Sequence, residues 1–324
     1  MPILDGTLPA AITSAAERLR DGGLVAFPTE TVYGLGARAD HDVATAAVFA
    51  VKGRPDDHPL IVHVADAAAV AEFAEAPGPV AEALMARFWP GPLTLILRRR
   101  EGRGEAAAGG QATIGIRMPS HPVAQALLRE AVRLGVHGVA APSANRFGRV
   151  SPTTAQHVRG EFGDGLLILD GGACEVGIES AIVDCSGERP ALLRPGALDR
   201  REIEAVIGAP LAAPGADSPR ASGTLESHYA PAAKVRLYDT ASLTAMLAKP
   251  APAGVAVYSR VVPSPASGVR HRPMPADPAA AAHELFAALR GFDAAGASVV
   301  WVEQPPAGPE WDGVRDRLTR AAAA

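Results

Sequence analysis

The sequence predicts an α/β protein built as two units, and three observations lead there. Short apolar strands alternate with amphipathic helical segments along the whole of its 324 residues, a length sufficient for two cores. Composition changes over Gly208–Ala233, which is rich in Pro, Gly, Ala and Ser and reads as a linker. Beyond it the chain repeats strand, helix, strand, the pattern of a small α/β unit with a parallel sheet. The predicted boundaries are therefore 1–207 for the larger unit, 208–233 for the linker and 234–324 for the smaller unit.

Taken in order, Thr7 is placed to cap a first helix with Leu8, Ile12, Ala15 and Leu19 on one face, ended by Gly22-Gly23. A buried strand, Leu24 to Phe27, runs into the polar turn Pro28-Thr29-Glu30-Thr31. A helix is expected next, then a basic turn, Lys52-Gly53-Arg54-Pro55, and a second apolar strand, Leu60 to Val64, that holds His63. Asp66 caps a helix to about Ala76, and another helix ends near Phe88. Trp89-Pro90-Gly91-Pro92 is a rigid turn into the strand Leu93 to Leu97. Arg98 to Gly110, charged and glycine-rich, reads as a mobile hairpin or surface loop. Thr113 to Met118 alternates as a strand and delivers Thr113 and Arg117 to one side. A helix from Pro122 to about Leu134 precedes the short strand Gly138 to Ala141 and the turn Pro142-Ser143-Ala144-Asn145. Ser151-Pro152-Thr153-Thr154 reads as a helix start. Strands Leu166–Leu169, Ile178–Val183 and Ala191–Leu193 complete the unit. The smaller unit offers strands Val235–Tyr238, Val255–Tyr258 and Ser298–Val302. Its helices begin at Thr240, at Asp277-Pro278 and near Glu310.

Bulk properties exclude several classes. Apolar content of 48% and charged content of 20% are those of a globular protein. A net charge of -4 and a pI near 6.1 give no global attraction to nucleic acid or anionic membrane, so any weak tRNA contact rests on a local patch. The N-terminal stretch has neither a basic start nor a long apolar run, and no stretch reaches the ~18 apolar residues of a membrane span. A cytoplasmic enzyme is the expectation. Cys174 and Cys185 lack metal-ligand spacing and read as two buried free thiols.

The candidate chemistry gathers around Phe27 to Val64. Polar loops at the ends of neighbouring strands form a ligand crevice in an open α/β sheet. One such loop offers hydroxyls and the next offers fixed positive charge, which suits a small polar substrate beside a phosphate. No Walker A loop or dinucleotide glycine fingerprint is present, so phosphate would be held by converging cations such as Lys52, Arg54 and Arg194. Each also reads as a solvated surface charge, although Pro55 fixes the Lys-x-Arg turn. His63 is equally readable as a core histidine, Thr29, Glu30 and Thr31 as an Asx- or ST-type turn, Ser143 and Asn145 as turn formers, and Ser151 as a helix cap. Spacing alone carries the reading no further than a small polar ligand with phosphate.

Several ordered blocks go further: FPTETVYGLG, KGRPDDHPLIVHV, FWPGPLTLIL, TIGIRMPSHP, APSAN, SPTTAQHV, ESAIVD and LLRPG. Together they resemble the threonylcarbamoyl-AMP synthase family over roughly Leu8 to Arg200, and HYAP with a small α/β tail resembles its two-domain form. The resemblance implies a twisted open-sheet catalytic domain like that of double-stranded RNA binders, followed by a Rossmann-like domain. It implies an enzyme that joins L-threonine, bicarbonate and ATP into threonylcarbamoyl-adenylate, with release of pyrophosphate. A separate complex then transfers the threonylcarbamoyl group to the adenosine next to the anticodon of tRNA. Carried over by residue, the threonine pocket takes Thr31, His63, Arg117, Ala141 and Ser180. Nucleotide contacts fall to Arg54, His58, Thr113, Ser143, Asn145, Ser151, Arg194 and Tyr229. Lys52 and Arg54 act on the reacting phosphate.

The chemistry expected of these residues is electrostatic. No residue must become covalently bonded, no general base is obvious, and no organic cofactor is expected. No carboxylate cluster suggests a metal cage, so Mg2+ is expected to arrive with ATP. HYAP in the linker is a candidate latch, and Tyr229→Ala is expected to raise the ATP KM, or leak intermediate, with the fold intact. Two rivals compete. One is a non-catalytic RNA- or nucleotide-binding module, which the acidic pI disfavours. The other is a carbamoyl-transfer enzyme of hydrogenase maturation, which would want zinc-finger cysteines that are missing.

Overall fold

The structure, a computed structural model, describes residues 3–215, 217–262 and 269–324. It divides into two compact units, Met1–Phe147 with Ser151–Thr224, and Gly148–Val150 with Leu225–Ala324.

Among the described residues the larger unit is built on a ten-stranded sheet. Its strands are β1 (Ile3–Asp5), β2 (Val25–Phe27), β3 (Gly34–Arg38), β4 (Ile61–His63), β5 (Leu93–Arg98), β6 (Thr113–Arg117), β7 (Val139–Ala140), β8 (Leu167–Asp170), β9 (Ala181–Asp184) and β10 (Ala191–Arg194). They lie in the order β1-β8-β2-β3-β7-β4-β6-β5-β9-β10, with parallel and antiparallel pairs mixed. Alternation along β2 explains the layering. Val25 and Phe27 pack with the helices Pro9–Arg20 and Pro122–Arg133, whereas Leu24 and Ala26 belong to the core under the helices Asp42–Lys52 and Pro79–Phe88. Both sheet faces are thus covered.

Several local expectations are corrected. Leu8, not Thr7, stands at the N-cap of the first helix, because Thr7 spends its hydroxyl and N–H on Asp5 Oδ1 and Pro9 starts the helix without a donor to satisfy. Leu8 is consequently exposed. The chain after Thr31 first makes β3, antiparallel to β2, before the helix Asp42–Lys52. Asp66 does cap, but the segment it opens is a 3-10 helix ending at Glu72. The next misread start is Ser151-Pro152: Thr154 is the cap of the helix Ala155–Phe162, which frees Ser151 for another contact. The segment Arg98 to Gly110, read as a mobile hairpin or surface loop, lies largely at the surface but is anchored there, with Ala107 and Ala108 buried and Ala107 accepting a hydrogen bond from the Leu60 N–H at 2.8 Å. Of the two cysteines, both free, Cys174 is buried and Cys185 only partly so.

The smaller unit holds β11 (Lys234–Tyr238), β12 (Val255–Ser259), β13 (Arg270–Pro273) and β14 (Val299–Glu303), in the order β11-β14-β12-β13, every pair parallel as expected. β13, written Arg-His-Arg-Pro, has none of the apolar alternation by which strands are recognised.

Candidate functional site

Three neighbouring strands place the first group of side chains. β4 and β6 are parallel with His63 opposite Arg117, and β7 runs antiparallel to β4 with Val139 opposite His63. The chain leaving β7 brings in Ala141, whose N–H bonds to Ile61 O at 2.9 Å. The turn Pro28–Thr31 stands between β2 and β3, held by Thr29 Oγ1 donating to Val32 O at 2.7 Å. The loop after Cys174 secures it, with Val176 N–H on Glu30 O and Gly177 N–H on Thr31 O.

Arg117 is the centre of this pocket. Its Nη1 donates to Thr31 Oγ1 at 2.7 Å, its Nε to Gly91 O at 3.2 Å, and its Nη2 lies 2.7 Å from Glu30 Oε1. Thr31 Oγ1 also shares a 2.8 Å hydrogen bond with Thr29 Oγ1. His63 is buried edge-on to Phe27, with Nδ1 3.2 Å from Ile61 O. Burial, then the Arg117 charge, push its pKa down to about 3, so the ring is neutral. A depressed pKa stabilises the fold in full above the ordinary value of 6.5 and loses that contribution as pH falls toward about 3. Unfolding midpoints should therefore fall more steeply with acidification across this window in the native protein than in His63→Asn. Parallel slopes would contradict the assignment of a buried neutral ring.

Ser180 precedes β9, whose partner β5 lies beside β6. Its Oγ shares a 2.8 Å hydrogen bond with Thr94 Oγ1, and Arg194 reaches it with Nη2 at 3.2 Å while Nε and Nη2 also bond its carbonyl. The turn after β10 can come this close because Gly196 has no side chain; a Cβ there would stand 2.3 Å from the Ala181 nitrogen. Arg194 Nη1 donates to Ser222 O at 2.7 Å, and Arg54 Nη2 donates to Ser222 Oγ at 3.2 Å and to Pro59 O at 2.9 Å. Ser222, in the stretch read as linker, thus bridges both predicted phosphate arginines.

The helix Asp42–Lys52 ends at Gly53 in the left-handed conformation, which turns Lys52 inward on the last turn and sends Arg54 onward. Lys52 Nζ donates to the carbonyls of Ser143 (2.6 Å) and Asn145. Burial, then the charge of Arg54, hold its pKa well below the usual lysine value. The Arg54 guanidinium lies over the Phe147 ring at 5.7 Å, and His58 meets that ring edge-on. Ser151 Oγ donates to Glu179. Thr113 and Ser222 line one narrow cleft with Leu60 and Gly115.

The structure therefore brings the predicted residues of the larger unit into one connected region. Tyr229 belongs to the smaller unit, where it is 1% exposed, stacked on Phe286, beneath the Arg317 guanidinium at 5.1 Å, and left-handed at φ 61°. That packing corrects one expectation. Tyr229→Ala cannot leave the fold intact and should destabilise the smaller unit by about 3–5 kcal/mol, measurable by denaturant titration. Glu30, Glu179 and Ser222 were not picked out from the sequence. The first two lie within the family-like blocks, whereas nothing in the linker composition distinguishes Ser222.

A neutral imidazole, hydroxyls and a buried guanidinium suit a small polar carboxylic acid. Lys52, Arg54 and Arg194 beside them suit phosphate. Fold and site together define a two-unit α/β protein whose larger unit gathers a buried arginine, hydroxyls and a neutral imidazole on strands neighbouring those that carry further buried cations. Residues 17–196 match the family model described as "Telomere recombination" (Sua5, YciO and YrdC), and residues 198–323 match "Threonylcarbamoyl-AMP synthase, C-terminal domain". The chain belongs to the threonylcarbamoyl-AMP synthase family. The synthase of Pyrococcus abyssi is 45% identical over 69% of this chain and 66% of its own length, and that of Bacillus subtilis is 44% identical over 70% and 66%. The aligned stretch thus spans just under two thirds of these relatives. The crystal structure of P. abyssi Sua5 complexed with L-threonine superposes with a TM-score of 0.88 at 36% identity, covering 97% of this chain and 95% of that one. Among the described residues no helix is long and apolar enough to cross a membrane.

Proposed function

We propose that the protein is an L-threonylcarbamoyladenylate synthase, acting in the cytoplasm for threonylcarbamoyl modification of tRNA. The observation that carries this reading is the meeting of two groups across β5: β6, which sets Arg117 beside His63 and bonded to Thr31, pairs with β5, whose Thr94 bonds Ser180, and hydrogen bonds link Ser180, Arg194, Ser222 and Arg54 in turn. The threonine-bound P. abyssi relative supports it.

In this reading L-threonine lies between Thr31, His63, Ala141 and Ser180 with its carboxylate on Arg117, whose planar fork matches that group. The amine and bicarbonate give a carbamate and water. A carbamate oxygen then forms a bond to the α-phosphorus of ATP as the bond to the bridging oxygen breaks, and pyrophosphate leaves with the electron pair. Lys52, Arg54 and Arg194 stabilise charge on the α-phosphate and the leaving group. His58, Thr113, Ser143, Asn145 and Ser151 hold the nucleotide, and Tyr229 joins them through the family likeness. Mg2+ enters as part of the ATP complex. Approaching phosphate adds a counter-charge to Lys52 beyond those of Glu161 and Glu179, so ATP arrival favours the ammonium that the reaction needs. The product passes to a tRNA threonylcarbamoyl-transfer complex.

Pyrophosphate release by the purified protein, with ATP, bicarbonate and each amino acid in turn, tests this reading. Release that requires both threonine and bicarbonate is the expected result. Release with a different amino acid would reassign the pocket, and intact ATP binding without release would leave a binding module.

A further inference from the structure

The ion pair between Glu30 and Arg117 is poorly explained as a structural device. The two side chains are 5% and 4% exposed, with Oε1 2.7 Å from Nη2. The backbone N–H groups of Glu30 and Ser120 also face the carboxylate, but neither of its oxygens has a well-aligned hydrogen-bond partner. Burying two charges is costly unless the remaining lone pairs and protons are also bonded. An incompletely bonded buried pair calls for a reason other than stability.

Resting on the function proposed above, we infer that Glu30 binds the ammonium group of the amino-acid substrate and takes the proton that this group must lose before it becomes a carbamate. An α-amino acid carries its carboxylate and ammonium on adjacent atoms of one carbon, and Arg117 with Glu30 presents the opposite charges side by side. Thr31, His63, Ala141 and Ser180 carry no negative charge, so a pocket without Glu30 would bury the ammonium uncompensated. With it, one internal ion pair is exchanged for two with the substrate, and the buried charge stays balanced.

The proton step balances. The ammonium gives one proton to the Glu30 carboxylate and becomes an amine. The nitrogen lone pair forms the N–C bond to bicarbonate carbon, the second proton of that nitrogen leaves with the hydroxyl as water, and Glu30 returns its proton to solvent at turnover. Charged and titratable neighbours of Glu30 are Arg117 on β6, His63 on β4, His121 at the start of the helix Pro122–Arg133, and Cys174. In the ligand-free protein burial pushes the Glu30 pKa up, but the Arg117 charge outweighs it and holds the carboxyl below its ordinary value. When Arg117 turns to the substrate carboxylate the ammonium takes its place beside Glu30, and burial then favours the neutral acid–amine pair over the charged pair, which promotes the transfer.

Calorimetry on the full chain with L-threonine and with 2,3-dihydroxybutanoate, which has a hydroxyl in place of the amine, separates the possibilities without needing turnover. The native protein should prefer threonine by about tenfold or more, as expected for a charge-assisted contact, and Glu30→Gln should lose that preference. Pyrophosphate release by Glu30→Gln should also climb about tenfold per pH unit toward the pKa of the free amine, while the native profile is flatter. If Glu30→Gln weakens both ligands equally and its pH profile parallels the native one, Glu30 only positions Arg117 and the inference fails. A native protein that binds the two ligands equally also overturns it, whether or not the variant folds. Absence of threonine-dependent pyrophosphate release in the native protein is a separate outcome, which removes the functional proposal while the binding comparison still decides the role of Glu30.

Discussion

Arg117→Ala is expected to reduce threonine-dependent pyrophosphate release by about 10³-fold or more and to destabilise the larger unit by about 3–5 kcal/mol. The functional loss follows from removing the cation to which the proposal assigns the substrate carboxylate. Destabilisation follows because Glu30, 5% exposed, keeps its charge and loses the guanidinium 2.7 Å away. The two effects separate in Arg117→Lys, which keeps the charge but loses the fork that reaches Thr31, Glu30 and Gly91 together. It should recover most of the stability and little of the activity, with the deficit chiefly in kcat/KM for threonine. Denaturant titration with initial rates checks both. An Arg117→Ala protein with an unchanged threonine KM would place the carboxylate elsewhere.

Lys52→Ala should lower kcat by about 10²–10³-fold while threonine binding is kept, since the ammonium is assigned to charge that develops on phosphate. The side chain is 3% exposed and donates to the carbonyls of Ser143 and Asn145, so its removal deletes two buried hydrogen bonds and should also cost about 1–3 kcal/mol of stability. Lys52→Arg is not a rescue: a larger planar cation does not fit where a compact ammonium sits between two carbonyls. Single-turnover rates at saturating ATP with threonine binding by calorimetry distinguish the readings. An equal loss of threonine affinity would make Lys52 part of the framework.

Much of the arrangement was legible because the signals were local. The apolar run Leu60–Val64 identified β4, and helix periodicity with Gly53 as a stop identified the basic turn. Reading β3 as part of a helix failed for a physical reason. Gly34-Leu35-Gly36 carries little propensity for either structure, and β3 becomes a strand because β2 supplies partners 7 to 11 residues away in sequence and β7 supplies partners more than 100 residues away. β1 was invisible for a similar reason: three residues become a strand only by pairing with β8, far along the chain. At the site, residue types were readable but pairings were not. Glu30 reads as a turn residue until β6 sets Arg117 beside it, and Ser222 reads as linker until two arginines converge on it. Tyr229 is the instructive opposite, a residue marked by its unusual setting in a linker whose ring proves to be core in the smaller unit.

The most direct test of the central claim is to supply ¹³C-bicarbonate, ATP and L-threonine to the purified protein and look for the product by mass spectrometry. The account predicts threonylcarbamoyl-adenylate carrying one ¹³C, absent when threonine or bicarbonate is omitted and absent in Arg117→Ala. Threonine-dependent formation of an unlabelled adenylate, with threonine joined directly to AMP, would contradict it.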